Sequence, residues 1–161
     1  MRKPAGASGN NSRSRSKSAR IWRAQVGRVP LFLLDANVTE NGPADREITN
    51  QLYGGDINTR IQQEIVLGIG GVRALDAVGL KPTVWHINEG HAAFQILERC
   101  REVVAQGLDF DSALELVAAN TVFTTHTPVP AGHDIFDYTL MERHFGHQLK
   151  ALGLDMEKLF S

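Results

Sequence analysis

Apolar and polar positions along this chain fall into blocks of changing period, and the changes predict strands alternating with helices. Val29–Leu34 (VPLFLL) is apolar almost throughout, the pattern of a strand buried on both faces. Pro43 then opens a short helix, PADREITNQLY, as proline does at a first helical position. A long helix follows Tyr53-Gly54-Gly55. Asp56 is its N-cap, Ile57, Ile61, Ile65, Ile69 and Val72 keep helical spacing, and Gly79 ends it. A strand at Thr83–Ile87 leads into a helix from about His91 to Ala105, stopped by Gly107. Asp109 or Asp111 caps the next helix, which carries Leu114, Leu116 and Val117 and runs into a strand beginning at Thr121. A last helix, from Asp137 to about Ala151, places Leu140, Met141, Phe145 and Leu149 on one face.

This alternation predicts an α/β fold with a parallel sheet and right-handed crossovers. About three strands are visible, whereas open sheets usually have ~4–6, so the chain reads as part of a larger layer. Gly68, Gly70 and Gly71 resemble a dinucleotide fingerprint only superficially, because they lie inside a helical pattern rather than between a strand and a helix. Close packing of that helix on a neighbouring backbone is the expected reason for them.

Charge divides the chain in two. Residues 1–34 hold eight basic residues and no acid; the remainder holds nine basic residues against eighteen acids, a net of −9. Residues 1–20 carry nothing apolar larger than alanine after Met1, so they cannot offset their ordering entropy by burial, and a disordered basic tail is expected there. Residues 21–161 form the expected domain. The tail could be an Arg/Ser-rich transit peptide, a basic arm for nucleic acid, or a leader without function. It lacks an amphipathic apolar face for the first role and interleaved aromatics for the second, so nucleic acid is not the expected partner. Cys100, the single cysteine, excludes an internal disulfide, suits a reducing cytoplasmic setting and is read as a small buried apolar residue. No apolar run approaches the ~20 residues that cross a bilayer.

The chemistry gathers at two strand ends, TVWHINEGHAAF (Thr83–Phe94) and TVFTTHTPVPAGHDIF (Thr121–Phe136). Ligands of α/β sheets bind outside the carboxyl ends of parallel strands, and both turns there carry histidine. Asn88, Glu89 and His91 crowd an amide, a carboxylate and an imidazole around Gly90, which permits a sharp turn. Thr124, Thr125, His126 and Thr127 supply hydroxyls and an imidazole, and Pro128 and Pro130 stiffen the following loop. Such a surface suits a polyhydroxylated ligand. Equally, Asn88 and Thr125 could only cap helices or satisfy turn backbone. His86, inside a strand, reads as a satisfied core histidine, and His144 and His147 as solvated. An alternative is a hydrolytic zinc held by His86, His91, His126 and His133 with Glu89 or Asp134, although neither HExxH nor paired cysteines are present.

These stretches, together with WRAQVGRVPLFLLDANV and the helix that begins YGGDINTRIQQEIVLGIGGVRAL, resemble the α-glucan phosphorylase family (glycogen, starch and maltodextrin phosphorylases) from Ile21 to Ser161. The resemblance is to its shorter bacterial and archaeal branch. It implies an internal piece of the first of two Rossmann-like domains of a GT-B-type glycosyltransferase, with a partial parallel sheet. It also implies phosphorolysis of an α-1,4-glucan by inorganic phosphate to α-glucose 1-phosphate, with pyridoxal phosphate as cofactor and a homodimer at full length. By motif position His126 is the histidine that contacts the glucosyl unit, Asn88, Glu89 and His91 form the polar wall beside it, and Thr125 and Thr127 flank the same pocket. The family's cofactor lysine, basic phosphate-binding residues and second domain are expected beyond Ser161, and its glycine-rich loop upstream of Ile21. None of Lys81, Lys150 and Lys158 lies in a context like the cofactor site, so the isolated chain is expected to be inactive. A non-catalytic carbohydrate-binding remnant is the second reading.

Overall fold

The computed structural model describes residues 16–52, 54–129 and 134–160. Its first element is a hairpin. Strand β1 (Arg20–Val26) pairs antiparallel with β2 (Val29–Asp35), from Arg20 opposite Asp35 to Val26 opposite Val29. Gly27, at φ +58°, takes the first place of the two-residue turn, a conformation that matches strand twist and that glycine enters without strain.

The hairpin corrects the reading of Val29–Leu34 as a strand of the parallel sheet, buried on both faces. The near neighbour in sequence captures it first, because closing a two-residue loop costs little entropy. One face of β2 reaches the helical layer through Leu34, while Leu31, Leu33 and Trp22 remain exposed. Lys17 and Ser18, assigned to the tail by composition, are tied to the body. Ser18 N–H donates to Asn41 Oδ1 at 2.9 Å, and Lys17 pairs with Asp45 at 3.1 Å.

After a single helical turn, α1 (Pro43–Arg46), far shorter than the PADREITNQLY pattern suggests, comes the long α2 (Ile57–Ala77). Asp56 caps α2 by accepting from Thr59 N–H, and Gly79 follows its end at φ +78°. Strand β3 (Trp85–Asn88) leads through a 3-10 turn (Gly90–Ala92) to α3 (Gln95–Val104), so the expected helix from His91 begins later and more tightly wound. Helix α4 (Phe110–Ala119) is capped by Asp109 and runs into β4 (Thr121–Thr124). The chain continues through α5 (Tyr138–Ala151), capped by Asp137, to α6 (Met156–Phe160), which the sequence pattern did not announce.

Among the described residues the sheet is smaller than expected. β3 and β4 form a parallel pair, Trp85 opposite Thr121 and Asn88 opposite Thr124, separate from the hairpin. Parallel pairing through a helical crossover is what the alternation required. Val122 and Phe123 on this pair are exposed, as is Val84 just before it. The core lies among the helices instead, around Ile61, Ile69, Cys100, Val117, Phe145 and Leu149. Cys100 is fully buried, and burial raises its thiol pKa, which makes it the inert apolar residue expected.

The glycines of α2 divide in role. A Cβ on Gly68 would lie 2.8 Å from the backbone nitrogen of Gln95, whereas one on Gly71 would meet nothing within 4 Å. Close backbone approach thus explains Gly68 alone. Gly68→Ala is expected to destabilise the fold by about 1–3 kcal/mol through overpacking. Gly71→Ala should instead stabilise by up to about 1 kcal/mol through helix propensity. Denaturant midpoints of the two variants check the pair, and a stabilised Gly68→Ala would refute the packing account.

Candidate active site at the two strand ends

Parallel pairing brings Asn88 and Thr124 to the same end of the sheet, so the two polar turns emerge side by side. The ladder extends one step further, Glu89 N–H donating to Thr124 O at 2.8 Å. Here the backbone turns sharply, and Glu89 rather than Gly90 carries the strained conformation, at φ 58° and ψ −167°. This region of backbone space is almost reserved for glycine, and a side chain held there by its surroundings is a mark of functional sites.

What holds Glu89 is its own carboxylate. The residue is 4% exposed, and Oε1 accepts from the backbone N–H groups of His126 and Thr127, both at 2.8 Å. Oε2 is buried without a hydrogen-bond partner among the described residues. The His126 N–H foremost, with Thr127 beside it, favours the charged form and brings Glu89 down to about 2 against the opposing effect of burial. The first turn thus anchors the backbone of the second through one buried anion.

His126 sits on that anchor with its side chain 60% exposed. Its Nδ1 lies 3.2 Å from Glu89 Oε1, and its Nε2 lies 2.9 Å from Asn88 Oδ1. Proton placement on the ring follows from tautomer choice, and each choice leaves one nitrogen able to donate to an adjacent oxygen. The chemical outcome is an outward imidazole on a fixed backbone, beside an exposed amide and an exposed Thr125 hydroxyl. Of the residues expected at the site, the structure joins Asn88, Glu89, His126 and Thr127. Glu89, expected as wall, spends one oxygen on the backbone.

His91 turns instead toward α2. Its Nδ1 lies 3.5 Å from Arg60 Nη2 and 3.8 Å from Glu64 Oε1. Arg60 also grips Asp134 Oδ2 at 3.1 Å through Nε and at 2.5 Å through Nη2. Burial first, then the adjacent Asp134, pushes Glu64 up to about 7. Arg60 and Glu64 were missed in the sequence. The available signal was a charged pair at i, i+4 whose members each directly precede an apolar position of the helix, Ile61 and Ile65.

Among the described residues, those of the zinc alternative do not gather into one site. His86 is an exposed histidine, not a core one, with Nε2 2.6 Å from Thr124 Oγ1. His126 belongs to Glu89 and Asn88, and His133 lies outside the described residues. Ligand-type atoms of Glu64, His91 and Asp134 do lie within 4.8 Å of one another. The Arg60 guanidinium, bound to both carboxylates, already supplies the positive charge there. His144 is half-buried rather than solvated, and burial depresses its pKa.

A lysine imine, as pyridoxal phosphate would need, requires an enclosed amine. Lys81 is 85% exposed by side chain, Lys150 is exposed, and Lys158 pairs with Asp111 at 2.9 Å, so these residues do not fit that cofactor. No helix among the described residues is long and apolar enough to cross a membrane.

Comparison with known proteins gives this geometry a context. No protein-family model matches the chain, and no solved structure matches it. Among curated proteins, a glycogen phosphorylase of Mycobacterium tuberculosis is 55% identical over 136 residues, covering 81% of this chain and 16% of the relative. A maltodextrin phosphorylase of Thermococcus litoralis is 48% identical over 137 residues, 85% of this chain and 16% of the relative. A glycogen phosphorylase of Aquifex aeolicus is 37% identical over 139 residues, 86% of this chain and 20% of the relative. The chain thus spans about one sixth to one fifth of the length of these relatives. Over that stretch the chain is homologous to the glycogen and maltodextrin phosphorylases, the α-glucan phosphorylase family.

Proposed function

We propose that this chain forms the sugar-facing wall of an α-glucan phosphorylase site, within the first Rossmann-like domain of a GT-B-type enzyme. The reaction is transfer of the terminal α-1,4-linked glucosyl unit of a glycogen or maltodextrin chain to inorganic phosphate, giving α-glucose 1-phosphate. The observation that carries this reading is the outward His126 imidazole on a backbone fixed by a buried carboxylate. A ring so placed can bond to a sugar hydroxyl without first ordering its own loop, and avoided reorganisation is a large part of what positioning gives catalysis. Asn88 orients the ring through Nε2, and Thr125 and Thr127 add hydroxyls beside the sugar.

In this reading the phosphate-binding cations are supplied by other parts of the enzyme, and Lys81, Lys150 and Lys158 do not fit pyridoxal phosphate. Stabilising charge on a transferring group needs preorganised cations or donors, so the chain alone is expected to be inactive. In this reading the enzyme is a soluble cytoplasmic homodimer at full length.

A chimera tests the proposal. Residues 21–161 are exchanged for the homologous stretch of the Mycobacterium tuberculosis glycogen phosphorylase, and phosphate-dependent release of glucose 1-phosphate from maltodextrin is measured. Retained phosphorolysis, lost about a hundredfold in the His126→Ala chimera, is the expected result. Unchanged activity in that variant would remove His126 from the sugar contact. Maltodextrin binding by a chimera that cannot phosphorolyse would favour a non-catalytic carbohydrate-binding wall.

A further inference from the structure

Arg60 touches both strand-end turns at once. From α2 it reaches His91 in the first turn, at 3.5 Å, and Asp134 in the loop before α5, at 2.5 Å, while Nη1 donates to Gln63 Oε1 at 2.9 Å. Glu64, 5% exposed and one helical turn along, lies 3.5 Å from the same guanidinium and 3.8 Å from His91 Nδ1. The helix carrying them is itself immobilised. Gly68 lies against the backbone of Gln95, and Gln63 Nε2 donates to Ile48 O at 3.0 Å and to Gln51 O at 2.8 Å.

We propose that Arg60 and Glu64 form a clamp that joins the two strand-end turns from α2, and that one proton shared between Glu64 and Asp134 decides how tightly it holds the loop following His126. The clamp is a statement about this chain's own structure; only its value to catalysis rests on the sugar-contact reading. A proton relieves the charge imbalance. Two carboxylates with oxygens inside a 4.8 Å cluster face one guanidinium, so full ionisation leaves an excess anion in a poorly solvated place. A proton on one carboxyl turns repulsion into a hydrogen bond and frees Arg60 to pair with the other.

The surrounding groups select the carrier. Facing Glu64 are Arg60 from its own helix, Asp134 from the loop and His91 from the 3-10 turn. Burial and Asp134 raise Glu64, while Asp134, raised by burial, is lowered further by its bonds to Arg60 and Glu64 and lies below its usual value. The proton therefore resides on Glu64. A carboxyl raised in the folded state contributes its stabilisation below its unfolded value, near 4.5, and loses it as pH rises through about 7. Deprotonated Glu64 then competes with Asp134 for Arg60, and the loop loosens while the Glu89 anchor persists.

The test uses the full chain by NMR between pH 5 and 8.5, with hydrogen exchange of residues 134–137, which lead into α5. The Glu64 carboxyl carbon is expected to titrate near 7, and the amides of Asp134 and Ile135 to follow with the same midpoint. Loop exchange should rise roughly tenfold or more across that midpoint, beyond the change in intrinsic exchange rate. Glu64→Gln, which keeps a neutral donor, should hold the loop at every pH and abolish the response. Asp134→Asn should return the Glu64 midpoint toward its ordinary value. A Glu64 carboxyl titrating near 4.5 in the unsubstituted chain, or a loop response surviving in Glu64→Gln, overturns the clamp. The unsubstituted titration decides alone if a variant does not fold. No glucan enters these measurements, so their failure is distinct from failure of the sugar contact at His126.

Discussion

Phe145→Ala is expected to cost about 3–5 kcal/mol of folding stability, the range for emptying a fully packed aromatic site. Phe145 is 0% exposed, and its ring centroid lies 4.6 Å from that of Phe94, which itself stacks on Phe136 at 5.9 Å. These rings fasten α5 and the loop before it to the segment that begins α3. Phe94 and Gln95 are also the residues against which Gly68 of α2 is pressed. A cavity at Phe145 therefore loosens three contacts at once, and the surroundings cannot collapse into it without moving α2. A domain of this size has only about 5–15 kcal/mol in total, so the variant approaches the edge of folding. Its thermal midpoint should fall by roughly 10 °C. Leu116→Ala, at a position 51% exposed, should stay within about 0.5 kcal/mol and serves as the control. A Phe145→Ala loss below about 1 kcal/mol, read from denaturant unfolding, would show that the helical core is not organised around this ring.

Glu89→Ala is the largest change expected at the site itself. It removes the acceptor shared by the His126 and Thr127 N–H groups and leaves a bare methyl side chain in a glycine-like conformation with nothing to hold it there. Hydrogen exchange at those two amides should accelerate to the rate of an open loop. In the phosphorylase chimera, phosphorolysis should fall about a hundredfold, the scale of a misplaced contact group. Glu89→Gln retains an acceptor oxygen and should preserve much of the amide protection. The unsubstituted chain makes the same point with acid. A carboxyl depressed to about 2 in the folded state stabilises the turn above its unfolded value of 4.5, and that contribution disappears as pH falls through 2. The two amides should accordingly lose protection between about pH 4.5 and 2, whereas in Glu89→Gln that acid-dependent change should vanish. Amides that remain protected in Glu89→Ala would show that the second turn is held by something other than this carboxylate.

Sequence alone settled what depends on local chemistry. Asp56 caps α2, Gly79 ends it, and β3 and β4 are parallel because helices intervene between them, while the structure chose Asp109 over Asp111 as the cap of α4 and made Asp137 the cap of α5 rather than its first residue. Capping and period are set by neighbours a few residues apart, so a linear reading reaches them. The two strand ends were legible as chemistry for the same reason, since each concentrates polar groups within a few residues. What needed the tertiary structure was choice among partners distant in sequence. An apolar run such as Val29–Leu34 fits a buried parallel strand and a hairpin strand equally, and only pairing with Arg20–Val26 decided between them. His91 and His126 look equivalent along the chain, yet a 37-residue reach from Glu89 fixes His126 at the sheet end, while Arg60 and Glu64 engage His91 in another cluster. Glu89 itself read as part of a ligand wall. The structure makes it the internal support of that wall, because a buried carboxylate is satisfied by whichever N–H groups the fold delivers, and composition cannot name them.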